Sequence, residues 1–138
     1  MNLIKDYRIL LGQGVVARFD TETYSDAVAF ARIGEGSLGG KARGLAFMNS
    51  MLLKHRQYDK HDNLRIMIPR SVVIATDYFD EFIRNNGLKY IISQEFSDEE
   101  ILSEFVSSTI PVKLQRELKA YIKTVSTPLA VRSSSKLE

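Results

Sequence analysis

The chain has no cysteine. That excludes disulfides, thiolate zinc sites and thiol nucleophiles. It also lacks any apolar run near the roughly 20 residues that span a bilayer. Its start, Met1-Asn2-Leu3-Ile4-Lys5-Asp6, has no signal-peptide hydrophobic region, so the cytoplasm is the expected compartment. An excess of charge is missing too. Nineteen basic and seventeen acidic side chains interleave to a net +2, with no basic stripe of the kind that nucleic acids require. The densest stretch, Lys54-His55-Arg56 with Lys60-His61, is interrupted by Asp59 and Asp62 and reads as a solvated connector. Neither nucleic acid nor membrane is an expected partner.

Glycine is scarce after residue 44. Of eight glycines, seven fall at or before Gly44, and five of those lie between Gly34 and Gly44. The rest of the composition is ordinary for a globular chain: 44% hydrophobic, 26% charged and 9% aromatic over 138 residues. A chain of this size buries roughly 68–70% of its extended surface, enough for a core without cross-links.

Periodicity gives a mixed α and β pattern, with helices outnumbering strands. Val15 to Phe19 reads as a short strand. Residues 26–33 fit a helical turn or a strand, and Ala29 to Ile33 makes a poor strand. After the glycine loop, Lys41 to Lys54 reads as a helix with Ala42, Leu45, Ala46, Met48 and Leu52 largely on one face. Ser71 to Ala75 is the clearest strand, and its β-branched run suggests burial on both faces. Thr76 then looks like an N-cap with Asp77 in the first turn. Tyr78, Phe79 and Phe82 read as core, and Asn85-Asn86-Gly87 as a helix stop. Ser97-Asp98-Glu99-Glu100 is a capping box, where the macrodipole rather than catalysis explains the carboxylates. Pro111 suits the first position of a further helix, striped by Leu114, Leu118, Tyr121, Ile122 and Val125. Pro128 precedes a final strand, Leu129-Ala130-Val131.

Two segments carry candidate chemistry. Gly34-Glu35-Gly36-Ser37-Leu38-Gly39 fits G-x-G-x-x-G, a weak signal alone. A dinucleotide site would need a strong preceding strand and an acidic residue about 20 positions on, ending a second strand. The chain offers a poor strand and a polar connector. A P-loop would need glycine at 35 and serine or threonine at 42, where the chain has Glu35 and Ala42. The glycines can still let backbone N–H groups approach an anion in front of a helix N-terminus. Lys41 at that N-terminus is unfavourable for the helix and makes better sense if an anion shares the site. A flexible turn with a surface lysine fits equally well. The second segment, Val131-Arg132-Ser133-Ser134-Ser135, places planar guanidinium donors beside hydroxyls. It fits either a phosphate cradle or a strand end running into a polar loop.

In this order the two segments resemble the phosphoenolpyruvate synthase and pyruvate phosphate dikinase family. Gly39-Gly40-Lys41 to Leu45 is similar to its G-G-K-x-x-x-L opening. Ile68-Pro69-Arg70-Ser71-Val72-Val73-Ile74-Ala75-Thr76 is similar to its P-x-G/S-f-v-i-t-t strand, and Pro128 to Ser134 to its P-x-A-V-R-S-S segment. The resemblance implies an α+β fold, a small sheet with packed helices forming the N-terminal subdomain of an ATP-grasp-type domain. It implies ATP as ligand, with Lys41 and Arg132 on its phosphates and Gly39, Gly40, Ser133 and Ser134 beside them. The family moves a phosphoryl group from ATP to a catalytic histidine and then to pyruvate, giving phosphoenolpyruvate and AMP. The carboxylates for Mg2+ would lie in the second half of the domain, and the phosphohistidine and pyruvate-binding domains downstream. No catalytic residue is assigned to this chain, and His55 and His61 match no family histidine. Residues 1–29 are expected to be a leader or linker from an upstream region. Residues 30–138 are expected to be the front part of the nucleotide-binding domain, inactive by itself. The other reading is a stand-alone nucleotide-binding or scaffold domain without catalysis.

Overall fold

A computed structural model describes residues 16–20, 30–55, 63–64, 66–92 and 95–133. The centre is a three-stranded sheet of β1 (Ala17–Arg18), β2 (Phe30–Ile33) and β3 (Ser71–Ile74), in that order. All pairings are parallel, with Ala17 opposite Ala31 and Ala31 opposite Val72. Parallel strands need a crossover connection, and between β2 and β3 the helix α1 (Gly40–Lys54) supplies it. The other described helical elements all follow β3: α2 (Thr76–Asn85), a 3-10 turn (Leu88–Ile92), α3 (Asp98–Ser107) and α4 (Val112–Thr124).

The strand that sequence reads as poor is the central one. Its four residues alternate between two packed faces, so it carries side chains for two cores. Phe30, fully buried, packs with Val16 and Ala42 of α1, flanked by Leu45, Ile68 and Val73. Ala31 and Ile33 face the other way. They join Phe19, Tyr78 of α2, and Leu114 and Tyr121 of α4. The Phe19 and Tyr121 rings meet edge to face, 5.4 Å between centroids. Residues 16–20, within the stretch read as leader or linker, therefore supply one strand and bury Val16 and Phe19.

Local signals appear where expected. Ser97 and Glu100 form a reciprocal capping box at α3. The helix α2 ends at Asn85, and Gly87 takes the positive φ of 66°. Asn86 Nδ2 donates to the carbonyls of Phe82 and Thr109, tying that stop to the link between α3 and α4. Pro111, expected at the first position of the next helix, instead sits one residue earlier, as the N-cap of α4.

Four expectations change. The strand β3 is not buried on both faces. It is one of the two outer strands of the sheet among the described residues, Val72 and Val73 are half-buried, and Ile74 is 45% exposed. Helix α1 buries Ala42, Asn49 and Ser50, while Met48, expected inside, is exposed with Phe47. Phe79 and Ile122 are exposed as well, because only one stripe of α2 and of α4 meets the sheet. Leu129-Ala130-Val131 forms no strand. A strand needs a ladder partner, and this run lies outside the three-stranded sheet, with Val131 92% exposed.

Candidate functional site

In a parallel sheet all strands end at one edge, and the loops leaving that edge are where ligands bind. Here β2 runs into the glycine loop, residues 34–39, and β3 runs through Ala75 into α2. Because the strands are adjacent and in register, the two exits meet. The Ala75 N–H donates to Ile33 O at 2.9 Å, one step past the ladder. The Thr76 N–H donates to Ser37 O at 2.9 Å, and Ser37 returns its own N–H to Thr76 Oγ1 at 3.0 Å. The Glu35 N–H donates to Asp77 Oδ2 at 2.9 Å.

Thr76 is therefore not the cap of α2. Ala75 holds that position in extended conformation and Thr76 is the first helical residue. Its hydroxyl is spent on the glycine loop instead. The Asp77 carboxyl is pulled below its ordinary range. Burial pushes it up, but backbone N–H groups of Glu35, Gly36, Asp77 itself and Tyr78 favour the charged form and prevail.

This contact explains two of the glycines. A Cβ on Gly36 would sit 2.6 Å from Asp77 N, and one on Gly34 would sit 2.6 Å from Asp77 Oδ1. Gly34 also has φ +96°, a region that side chains disfavour. The first half of the loop is thus packed on Asp77, with an internal carboxylate where an anion would otherwise lie.

Glu35 is held from its other end. Arg32 donates to Glu35 Oε2 at 2.8 Å and to Gly34 O at 2.9 Å, and Arg18 lies 3.2 Å from Glu35 Oε1. Arg18 also reaches Glu117 Oε1 at 3.3 Å, and Glu117 accepts the Tyr78 hydroxyl at 2.7 Å. Tyr78 is buried, and its hydroxyl is pushed well above the usual tyrosine range by burial first and by its bond to Glu117 second. One chain of polar contacts thus links the glycine loop, β1, α2 and α4.

The second half of the loop is different. Gly39 has φ +75° and is the N-cap of α1, with no side-chain oxygen capping the helix and no acidic residue in its first turn. Gly40 and Lys41 are its first two residues, both exposed. Arg43 donates Nε to Gly39 O at 3.2 Å, bracing the same turn. Of the candidate phosphate ligands, Gly39, Gly40 and Lys41 therefore sit together at one helix N-terminus, beside the carboxyl edge of the sheet.

Arg132 and Ser133 lie in the exposed run after α4, and Arg132 makes no hydrogen bond or ion pair among the described residues. Ser134 lies outside the described residues, as do His61 and Leu137-Glu138. Among the described residues no group of three or more His, Asp or Glu side chains is placed to hold a metal ion. No helix among them is long and apolar enough to cross a membrane. Sequence reasoning missed Asp77, Thr76 and Arg32 as supports of the loop. The available signal was two polar residues directly following a β-branched strand.

A small α+β domain with a glycine loop, at the carboxyl edge of a parallel sheet, opening onto an N-terminus with a lysine, belongs to the nucleotide-binding class of folds. The family profile described as pyruvate phosphate dikinase, AMP/ATP-binding domain, matches residues 35–138, and the chain belongs to that family. The match begins inside the glycine loop and takes in α1, β3 and the three later helices. No curated protein and no solved structure matches the chain.

Proposed function

We propose that this chain is the front part of an ATP-grasp-type nucleotide-binding domain in a phosphoenolpyruvate-synthase-like phosphotransferase. Gly39 and Gly40 let the phosphates approach the backbone at the N-terminus of α1, and Lys41 supplies a positive charge there. Arg132, with Ser133 and Ser134, serves as the second group of phosphate ligands. Both cations offset charge on the triphosphate as it transfers a phosphoryl group, the dominant form of catalysis in this chemistry. Magnesium would arrive with ATP, its protein ligands in the second half of the domain. The phosphorylated histidine and the pyruvate site would lie on further domains, and the chain alone would turn nothing over.

The supporting observation is the family match over residues 35–138, coupled with a glycine N-cap, no first-turn acid and Lys41 at the head of α1. The test is calorimetric titration of the chain with MgATP. Lys41→Ala and Arg132→Ala should each weaken binding about tenfold or more, the worth of a charge-assisted hydrogen bond. Unchanged affinity in both variants overturns the site. Wild-type binding with no phosphoryl transfer by the longest natural form of the protein would favour the stand-alone binding domain.

A further inference from the structure

We propose that Thr76 and Asp77 are positioning residues for the nucleotide: they clamp the front of the glycine loop to α2, so that phosphate is admitted only at Gly39, Gly40 and Lys41. The inference rests on the phosphate site proposed above.

Three hydrogen bonds make the clamp. The N–H groups of Glu35 and Ser37 donate to Asp77 Oδ2 and Thr76 Oγ1, at 2.9 and 3.0 Å. The Thr76 N–H donates back to Ser37 O at 2.9 Å. All three join segments about 40 residues apart, so they fix tertiary position and not merely a local turn. A glycine loop owes its affinity for anions to convergent N–H groups. In this loop the Glu35 N–H is already taken by the Asp77 carboxylate, and the Ser37 N–H by the Thr76 hydroxyl. Gly34 and Gly36 lack side chains where a Cβ would strike Asp77, so the loop can seat fully on α2.

Two consequences bear on the nucleotide. The negative charge of Asp77 repels phosphate from the front half of the loop. The fixed position of Ser37 also sets where Gly39 caps α1, since only Leu38 lies between them and the Gly39 N–H donates to Ser37 Oγ at 3.5 Å. Preorganised donors bind more tightly than donors that must be ordered on binding.

The experiment pairs amide hydrogen exchange with MgATP titration on the chain. Thr76→Val removes the acceptor and keeps the shape; Thr76→Ser keeps the acceptor. Thr76→Val should speed exchange at the Ser37 amide and weaken MgATP about five- to tenfold, the worth of one such bond. Thr76→Ser should restore both. Asp77→Ala should do the same at the Glu35 amide. If Asp77→Ala fails to fold, the Thr76 pair carries the test. Wild-type exchange in Thr76→Val overturns the clamp. Faster exchange with unchanged MgATP affinity, while Lys41→Ala still loses binding, overturns the positioning role and leaves the phosphate site standing. Equal affinity of Lys41→Ala, Arg132→Ala and wild type overturns the site reading, and the positioning role with it.

Discussion

The Glu35 backbone N–H donates to Asp77 Oδ2 at 2.9 Å, across 42 residues of sequence. That bond fastens a glycine-rich loop to a helix that follows a neighbouring strand. It turns a segment that composition marks as pliable into a fixed one. The remaining features of the loop follow from how closely it seats there.

Gly34→Ala and Gly36→Ala should each cost about 1–3 kcal/mol, through strain and through contact with Asp77. Gly44→Ala should do the opposite. A Cβ at Gly44 meets nothing within 4 Å, and the position is helical. It should stabilise by about 0.5–1 kcal/mol. Urea unfolding of the three variants checks the contrast, which fails if Gly36→Ala is neutral.

Asp77 sets an acid limit. Its carboxyl is held below the ordinary carboxylate range, so the unfolded chain takes up its proton first as pH falls. The stabilisation is fully present above the ordinary value of about 3.9 and is lost as pH drops through the folded value. Asp77→Asn should therefore be less stable than wild type at neutral pH. Its unfolding midpoint should depend less on pH below about 4. Parallel acid limbs for the two proteins would refute this.

Tyr78 sets an alkaline limit. Its hydroxyl holds its proton more tightly folded than unfolded. That contribution is whole below the ordinary tyrosine value of about 10 and is lost as pH rises past it. Tyr78→Phe should flatten the alkaline limb. Glu117→Ala should cost about 1–3 kcal/mol by leaving the buried hydroxyl without its acceptor. Glu117→Gln, which keeps an acceptor, should cost less. Arg18→Ala removes exposed ion pairs to Glu35 and Glu117 and should cost under about 1 kcal/mol. Denaturant midpoints across this set rank the contacts.

Ser97→Ala should cost about 1 kcal/mol, since Ser97 Oγ accepts the Glu100 N–H and the Glu100 carboxylate returns to the Ser97 N–H. A thermal melt resolves it. No change would mean that α3 is held by packing alone, through contacts such as Phe105 on Phe82.

Several elements were legible because their causes are local. The Ser97–Glu100 box, the Asn85-Asn86-Gly87 stop and the inward stripe of Leu114, Leu118 and Tyr121 each depend on residues within a few positions. So does the start of α1 at Gly40-Lys41. The central strand was not legible. Phe30-Ala31-Arg32-Ile33 has little β-branching, and its state comes from having a strand on each side. The β-branched run at Ser71–Ile74 suggests burial on both faces, yet the strand has a ladder partner on one side only among the described residues, since strand order is not a property of any one strand.

The sequence by itself determined the family and the helices, because periodicity and motif spacing are written in neighbouring residues. Tertiary structure alone decided what Gly34 and Gly36 are for. Gly34 and Gly36 are small because Asp77, far along the chain, comes within 3 Å of where their side chains would begin. That approach exists only once β2 and β3 pair in register and bring their carboxyl ends together. Thr76 likewise turned from helix cap to loop anchor for the same reason. A hydroxyl's partner is whichever N–H the fold places within reach, and this one lies 39 residues away.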